Sequence, residues 1–222
     1  MKLWKLVSAA TAFVLSTSAN AALIERLGGL AYYDDVANLT WLADANAAGT
    51  AMAWADANNW AASLTVGGVA GWRLADTVDV GNDGGTYTNF YQGVDTGFNI
   101  TAHSELSNMF YNVLGNGSKY NTDGTETGCV APNFCLSNRG PFSNLQSDYY
   151  WSATANEYAM DADYAWGFGM NDGGQGSVYT TTRLYAWAVQ SGDVSAVPVP
   201  AAVWLFASGL ITLIGFSRRQ KT

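Results

Sequence analysis

The chain has 222 residues, the size of one ordinary domain or two small ones, and 49% of them are apolar, enough for a sizeable core. Charged residues make up only 13%, about half the ~25% usual for soluble domains, and the net charge is −8. This balance excludes a nucleic-acid binder of the basic-patch kind and a disordered acidic tail.

The charges are unevenly placed. Five of the ten basic residues stand at the ends (Lys2, Lys5, Arg218, Arg219, Lys221), and each group flanks an apolar stretch. Residues 1–21 read as a secretory signal peptide: Lys2 and Lys5 precede an apolar run over 6–15. Ala19 and Ala21 then supply the small residues a signal peptidase reads, predicting cleavage after Ala21. The body that follows, 22–193, holds 18 acids and 5 bases, a net charge of −13.

Within the body, Gly29 to Tyr33 and Leu39 to Leu42 read as the strands of an N-terminal hairpin around a turn-rich 34–38. Residues 51–64 are Ala-rich and predict a helix capped by Thr50 and stopped by Gly67-Gly68. Met52, Ala55, Asn59 and Ala62 lie on one stripe of it, and Trp54, Ala61 and Leu64 on a neighbouring one. A second helix follows from Leu106, Met109, Phe110, Val113 and Leu114 at i, i+3, i+4, i+7 and i+8, with Glu105 in its first turn and Gly115 after it. Cys129 and Cys135, an isolated pair in an exported chain, predict a disulfide closing a small loop. Two cysteines with one histidine, His103, do not make a four-ligand zinc site.

From 149 onward β-like runs (149–151, 164–170, 178–183, 184–189) alternate with Gly- and Asn-rich turns, notably 171–174, and predict a C-terminal antiparallel sheet. Trp166, Phe168 and Met170 alternate with small residues as a half-buried strand does. The fold class is therefore α+β: hairpin, two helices, long loops over 75–100 and 115–148, then a sheet.

Several body segments resemble a known family. Trp41-Leu42-Ala43-Asp44-Ala45-Asn46, Asn59-Trp60-Ala61-Ala62, Gly71-Trp72-Arg73-Leu74, Ser104-Glu105-Leu106, Tyr149-Tyr150-Trp151-Ser152 and Ala186-Trp187-Ala188-Val189 occur in the order seen in Lcl C-terminal domain proteins. That family was long catalogued as a domain of unknown function and is similar to the C-type-lectin-like superfamily. The resemblance implies a C-type-lectin-like fold over most of 30–192. Ala75 stands where the family usually has Pro, and Gln190 where it often has Arg.

Catalytic constellations are sparse. Any Ser-His-Asp or Cys-His scheme must use His103, which reads as an exposed residue near a helix start. No catalytic residue and no cofactor are expected. Calcium is the one ion the turns invite, through Asn121, Asp123 and Glu126 or Asn171 and Asp172. The loop starting at Asp79, however, breaks the EF-hand pattern at Gly81 and Phe90. Tyr87, Phe90 and Tyr91, interleaved with amides and carboxylates such as Asp95, suit sugar recognition, in which rings stack on apolar sugar faces. The competing role for these rings is to anchor a long loop. A charge of −13 favours neutral or cationic glycans over polyanions.

At the far end, sixteen uncharged residues, 201–216, precede Arg218, Arg219 and Lys221, a marginal membrane span with the basic side in the cytoplasm. Val197-Pro198-Val199-Pro200-Ala201, this span and the Arg pair together resemble the VPLPA variant of the PEP-CTERM sorting signal, with Val199 in place of Leu. The resemblance implies recognition by an exosortase-type protease and delivery to the cell envelope or exopolysaccharide matrix. The expectation is an exported, non-enzymatic surface protein that binds neutral matrix glycan or a protein partner. A purely structural surface protein is the alternative, and an enzyme on extracellular polymer the third reading.

Overall fold

Two tight turns build the first sheet. The computed structural model describes residues 23–81, 91, 94–156 and 163–194, so both predicted terminal signals, including the span at 201–216, lie outside the described residues. Strands β1 (Leu23–Arg26), β2 (Ala31–Asp34) and β3 (Leu39–Leu42) pair antiparallel as a meander. The β2–β3 turn is held by Asp34, whose Oδ1 accepts the Val36 and Ala37 N–H groups at 3.0 Å, and Asn38 completes it in the left-handed region. The predicted hairpin is thus β2–β3, and β1 extends it by one strand. Leu23-Ile24-Glu25-Arg26 carries no alternation of its own and becomes a strand because β2 offers it an edge.

Helix α1 (Trp54–Ser63) is shorter than predicted at both ends. Met52 exchanges two backbone hydrogen bonds with Leu184, at 2.9 and 3.1 Å, and so is drawn out of the helix. Ala53 therefore takes the N-cap position, without a side-chain hydrogen bond, in place of Thr50. The helix ends at Leu64, before the glycine pair. Its inner face is Ala57 and Ala61, with Trp54, Trp60 and Leu64 packed against the core, whereas Ala55, Asn59 and Ala62 face outward. The two stripes were close in hydrophobicity, and the indoles decided between them.

Strand β4 (Arg73–Leu74) precedes the second helix, which starts as α2 (Glu105–Asn108) and continues as a π-helical turn over Met109–Val113. Ser104 caps it, its hydroxyl accepting the Ser107 N–H at 3.2 Å. Leu106, Met109, Phe110 and Leu114 are buried, as the spacing predicts, Val113 is partly buried against the same core, and Gly115 ends the segment at φ 69°.

Strands β5 (Tyr149–Ala155), β6 (Tyr164–Gly169) and β7 (Gln175–Tyr179) form a three-stranded antiparallel sheet. The last run does not join it. Strand β8 (Ala188–Ser191) crosses to the first sheet and lies between β3 and β4, giving the order β1-β2-β3-β8-β4. Strand β6 is buried on both faces, its small residues Ala165, Gly167 and Gly169 as well as Trp166 and Phe168, so its alternation marks large-against-small packing, not an exposed side. Among the described residues the architecture is α+β with two antiparallel sheets and two short helices.

The core is dense in indoles. Trp41, Trp72, Trp151, Trp166 and Trp187 are all at most 2% exposed, while Trp60 is half-buried. Trp41 and Trp187 pack at 4.6 Å between centroids, and Phe142 meets the Trp187 ring edge-on at 4.7 Å. Trp187→Ala removes this contact and the bond from its Nε1 to the Leu42 carbonyl (2.8 Å). We expect it to cost about 3–5 kcal/mol, read as a lowered urea midpoint. A midpoint within error of the parent would contradict this packing role.

Candidate functional site

Arg73 organises one end of the molecule. Its guanidinium grips Glu105 in a bidentate pair, Nη1 to Oε2 at 2.7 Å and Nη2 to Oε1 at 2.8 Å, and reaches Asp76 at 3.0 Å. Glu105 Oε2 also accepts the Asp76 N–H at 2.7 Å. Two of the recognised segments, Gly71–Leu74 and Ser104–Leu106, are thereby joined across 32 residues of sequence. The hydrogen bonds that Arg73 donates to Glu105 raise the Arg73 pKa further above its already high ordinary value, against the opposing effect of burial. Burial raises the Asp76 pKa, opposed by Arg73 and reinforced by the like charge of Glu105.

The loop after β4 zips to the start of α2: Val78 N–H donates to His103 O at 2.8 Å and Glu105 N–H to Asp76 O at 3.0 Å. With the β2–β3 turn opposite, these segments bound a cleft of about 480 Å³. Its lining includes Val36, Leu39, Asp76, Val78, His103 and Glu105. Val36 and Val78 are 64% and 57% exposed, so the wall they form faces solvent. His103 is exposed, immediately before the Ser104 cap.

The residues predicted for sugar binding fall elsewhere. Tyr87 and Phe90 lie outside the described residues. Tyr91 packs on Tyr120 at 5.4 Å, and its carbonyl accepts from Asn99 Nδ2 at 3.1 Å. Asn99, at φ 60°, also bonds the Tyr120 carbonyl at 3.1 Å. Asp95 is 4% exposed; its Oδ1 accepts the Val80 N–H at 3.0 Å and its carbonyl accepts from Gln175 at 2.7 Å. In these contacts Tyr91 and Asp95 anchor the 91–99 loop.

The oxygens considered for calcium serve turns. Asp123 Oδ1 accepts the Thr125 N–H and hydroxyl at 2.9 and 2.6 Å. Asp172 Oδ1 accepts the Gly174 N–H at 2.8 Å, and its Oδ2 faces the Tyr149 hydroxyl at 3.3 Å. Among the described residues no group of three or more His, Cys, Asp or Glu is placed to hold a metal ion, and no helix is long and apolar enough to cross a membrane.

Cys129 and Cys135 are bonded as a disulfide, Cα to Cα 5.0 Å, closing the predicted small loop. Loop entropy assigns such a short bridge about 2 kcal/mol. A Cys129→Ser/Cys135→Ser variant is therefore expected to lose that much stability, and reductant to lower the melting temperature of the parent but not of the variant.

No family model matches the sequence, and neither a curated protein nor a solved structure does. The site must be read from its own geometry. Sequence reasoning missed Asp76 and the valine wall. Nothing in local spacing marks them, because the cleft is made by segments brought together only in the fold.

Asp172 gives a pH prediction. Burial raises its pKa, more than the Gly174 N–H, the Tyr149 hydroxyl and Lys119 lower it. A carboxyl whose folded pKa exceeds its unfolded one contributes stability that is full below the unfolded value and lost as pH rises through the folded one. Urea midpoints of Asp172→Asn should therefore fall less than those of the parent as pH rises from about 4. Parallel pH profiles would rule out this role.

Proposed function

We propose that the chain is an exported protein, sorted to the cell envelope or exopolysaccharide matrix, whose body is a non-catalytic binding module of C-type-lectin-like fold. The addressing half of this reading rests on the order of elements in the sequence: n-region, apolar run and Ala19/Ala21 at the start, then Val197 to Ala201, apolar span and Arg218-Arg219 at the end. Its partners in transit are a signal peptidase, the membrane and an exosortase-type protease.

The binding half is carried by one observation, the division of labour around the cleft. Glu105 and Ser104, which have the side chains of general acid–base and nucleophilic chemistry, are engaged in holding Arg73, the Asp76 N–H and the helix cap. Asp76, half exposed, and the two exposed valines face outward instead. A concave surface with a rigid polar frame and an exposed apolar wall is a recognition surface. The rings of Tyr91, Phe98 and Tyr120 pack on one another instead.

Two experiments test the halves separately. Cells making the full chain should hold it in the envelope fraction, and cells making a chain without 197–222 should release it to the medium. The same fraction for both would sink the sorting assignment. The released body should be retained by the producer's own matrix, and Val78→Arg, which fills the cleft from its exposed wall, should abolish that retention. Retention unaffected by Val78→Arg would displace the binding site from the cleft, and no retention at all would leave the purely structural role.

A further inference from the structure

The disulfide loop holds two apolar side chains out into solvent. Val130 is 73% exposed, the highest value for a large apolar side chain among the described residues, and Phe134 is 49% exposed. The two form an antiparallel bridge, the Phe134 N–H donating to the Val130 carbonyl at 2.9 Å, so both side chains stand on one side of the loop. Ala131, Pro132 and Asn133 between them are also exposed, and the run from Cys129 to Cys135 contains no charged residue. The loop is fixed at its ends and at its tip. The disulfide joins the ends, and the Cys135 N–H donates to the Asn171 carbonyl at 2.9 Å. At the tip, Asn133 Oδ1 accepts from Arg139 Nη2 at 3.0 Å and its carbonyl from the Ser147 hydroxyl at 2.8 Å. Phe134 sits at φ 52°, a left-handed conformation that a bulky side chain rarely adopts and that glycine would take without cost. A pre-ordered, strained and exposed aromatic residue is the form a recognition element takes, because little freedom is left to lose on docking.

A concave counterpart lies on the same chain. The cleft offers Val36, Ala37, Leu39 and Val78 in a volume of about 480 Å³, within the roughly 300–1,000 Å³ of sites that enclose small organic groups. The two carboxylates that line it, Asp76 and Glu105, are both held by Arg73, at 3.0 Å and at 2.7 and 2.8 Å. Their charge is answered within the molecule, so the cleft suits an uncharged occupant. Ser104, Glu105 and Asn108, at the start of α2, line the cleft. The disulfide loop is anchored past the other end of the same helical segment. There Asn116 Oδ1 accepts the Asn138 N–H at 2.8 Å, and Cys129 Sγ stands 3.7 Å from the Ser118 carbonyl. Helical rise from Ser104 to Leu114 separates the two places by about 15 Å. A loop fixed there cannot fill the cleft of its own molecule.

We propose that the Val130–Phe134 knob of one copy docks in the Val36–Val78 cleft of a second copy, head to tail, so that the bodies join into open chains. This step rests on the reading of the cleft as a recognition surface and names its occupant. The contact is heterologous, leaving a free knob at one end and a free cleft at the other, so assembly continues beyond two. A knob of seven residues buries less than the roughly 1,200 Å² of a standard interface, so each contact is weak and assembly grows with concentration. Bodies of charge −13 repel one another, and salt strengthens the assembly by screening that repulsion.

Sedimentation velocity of the purified exported protein tests the assignment. The mass should rise with concentration past that of a dimer, and added salt should strengthen the association. Phe134→Ala should weaken it about tenfold, and Phe134→Asp and Val78→Arg should each leave monomers. The mixture of those last two is the sharpest sample, because one keeps only its cleft and the other only its knob. Together they should form a one-to-one dimer and nothing larger. Leu30→Asp, which changes a side chain 49% exposed in the β1–β2 turn, should assemble like the parent, and circular dichroism should be the same for all variants. A parent that stays monomeric or stops at a dimer, a Phe134→Asp protein that assembles like the parent, or a mixture that stays monomeric would each overturn the assignment. If Val78→Arg abolishes matrix retention while Phe134→Asp assembles like the parent, the occupant is wrong and the recognition surface stands.

Discussion

Strand β8 is the last element of the body and the one that both halves of the five-stranded sheet require. The meander β1–β2–β3 presents an unpaired edge on β3, and β4 is only two residues long. Inserting Ala188–Ser191 between them pairs Trp41 with Val189 on one side and Arg73 with the same Val189 on the other. An isolated three-stranded meander buries one face poorly, whereas here Trp187 enters just before the strand and seats against Trp41 and Phe142. The position of β4, and hence of Arg73 and everything Arg73 holds, follows from that insertion.

Indole N–H groups extend the same logic to the second sheet. Trp54 on α1 donates to the Ser152 carbonyl at 2.8 Å, and Trp151 on β5 donates to the Met52 carbonyl at 2.9 Å, so helix and strand are clamped in both directions. Each bond satisfies a donor that would be costly to leave alone in the interior. The rings meanwhile supply the apolar area that a chain with so few charges has in surplus. The cleft is a by-product of this rigidity: α2 is fixed to β4 by the Arg73–Glu105 pair, the β2–β3 turn is fixed by Asp34, and the space between them stays open.

What was legible in the sequence was local. The spacing of Leu106, Met109, Phe110 and Leu114 identifies the buried face of the second helix, and the 171–174 turn separates β6 from β7. The π-helical turn hidden in that helix, where the Leu114 N–H reaches back to Met109 O at 2.9 Å, leaves no trace in periodicity. Met52 reads as helical, and only the distant Leu184 makes it a strand-like bridge. The run at 184–189 reads as a neighbour of the strands just before it, because nearest-in-sequence pairing is the usual rule. Its actual partner strands, β3 and β4, lie about 150 and about 115 residues upstream. The candidate site shares that non-local origin, as Asp76, Val36 and Val78 carry no motif and meet only when the two ends of the fold close on each other.

Past β8 the chain turns back over the sheet. The Gly192 N–H bonds Asn38 O at 2.8 Å, its carbonyl accepts from Thr40 Oγ1 at 2.7 Å, and Asp193 takes a bidentate grip from Arg26 at 2.6 and 2.8 Å. These contacts act as strain relief, in the sense of a cable clamp. A pull on the chain beyond Val194 would be borne first by Arg26, Asn38 and Thr40, and would reach the central strand only after those contacts had given way. The keystone strand is thus shielded, by contacts made just after it, from being peeled out by any pull on the chain that follows.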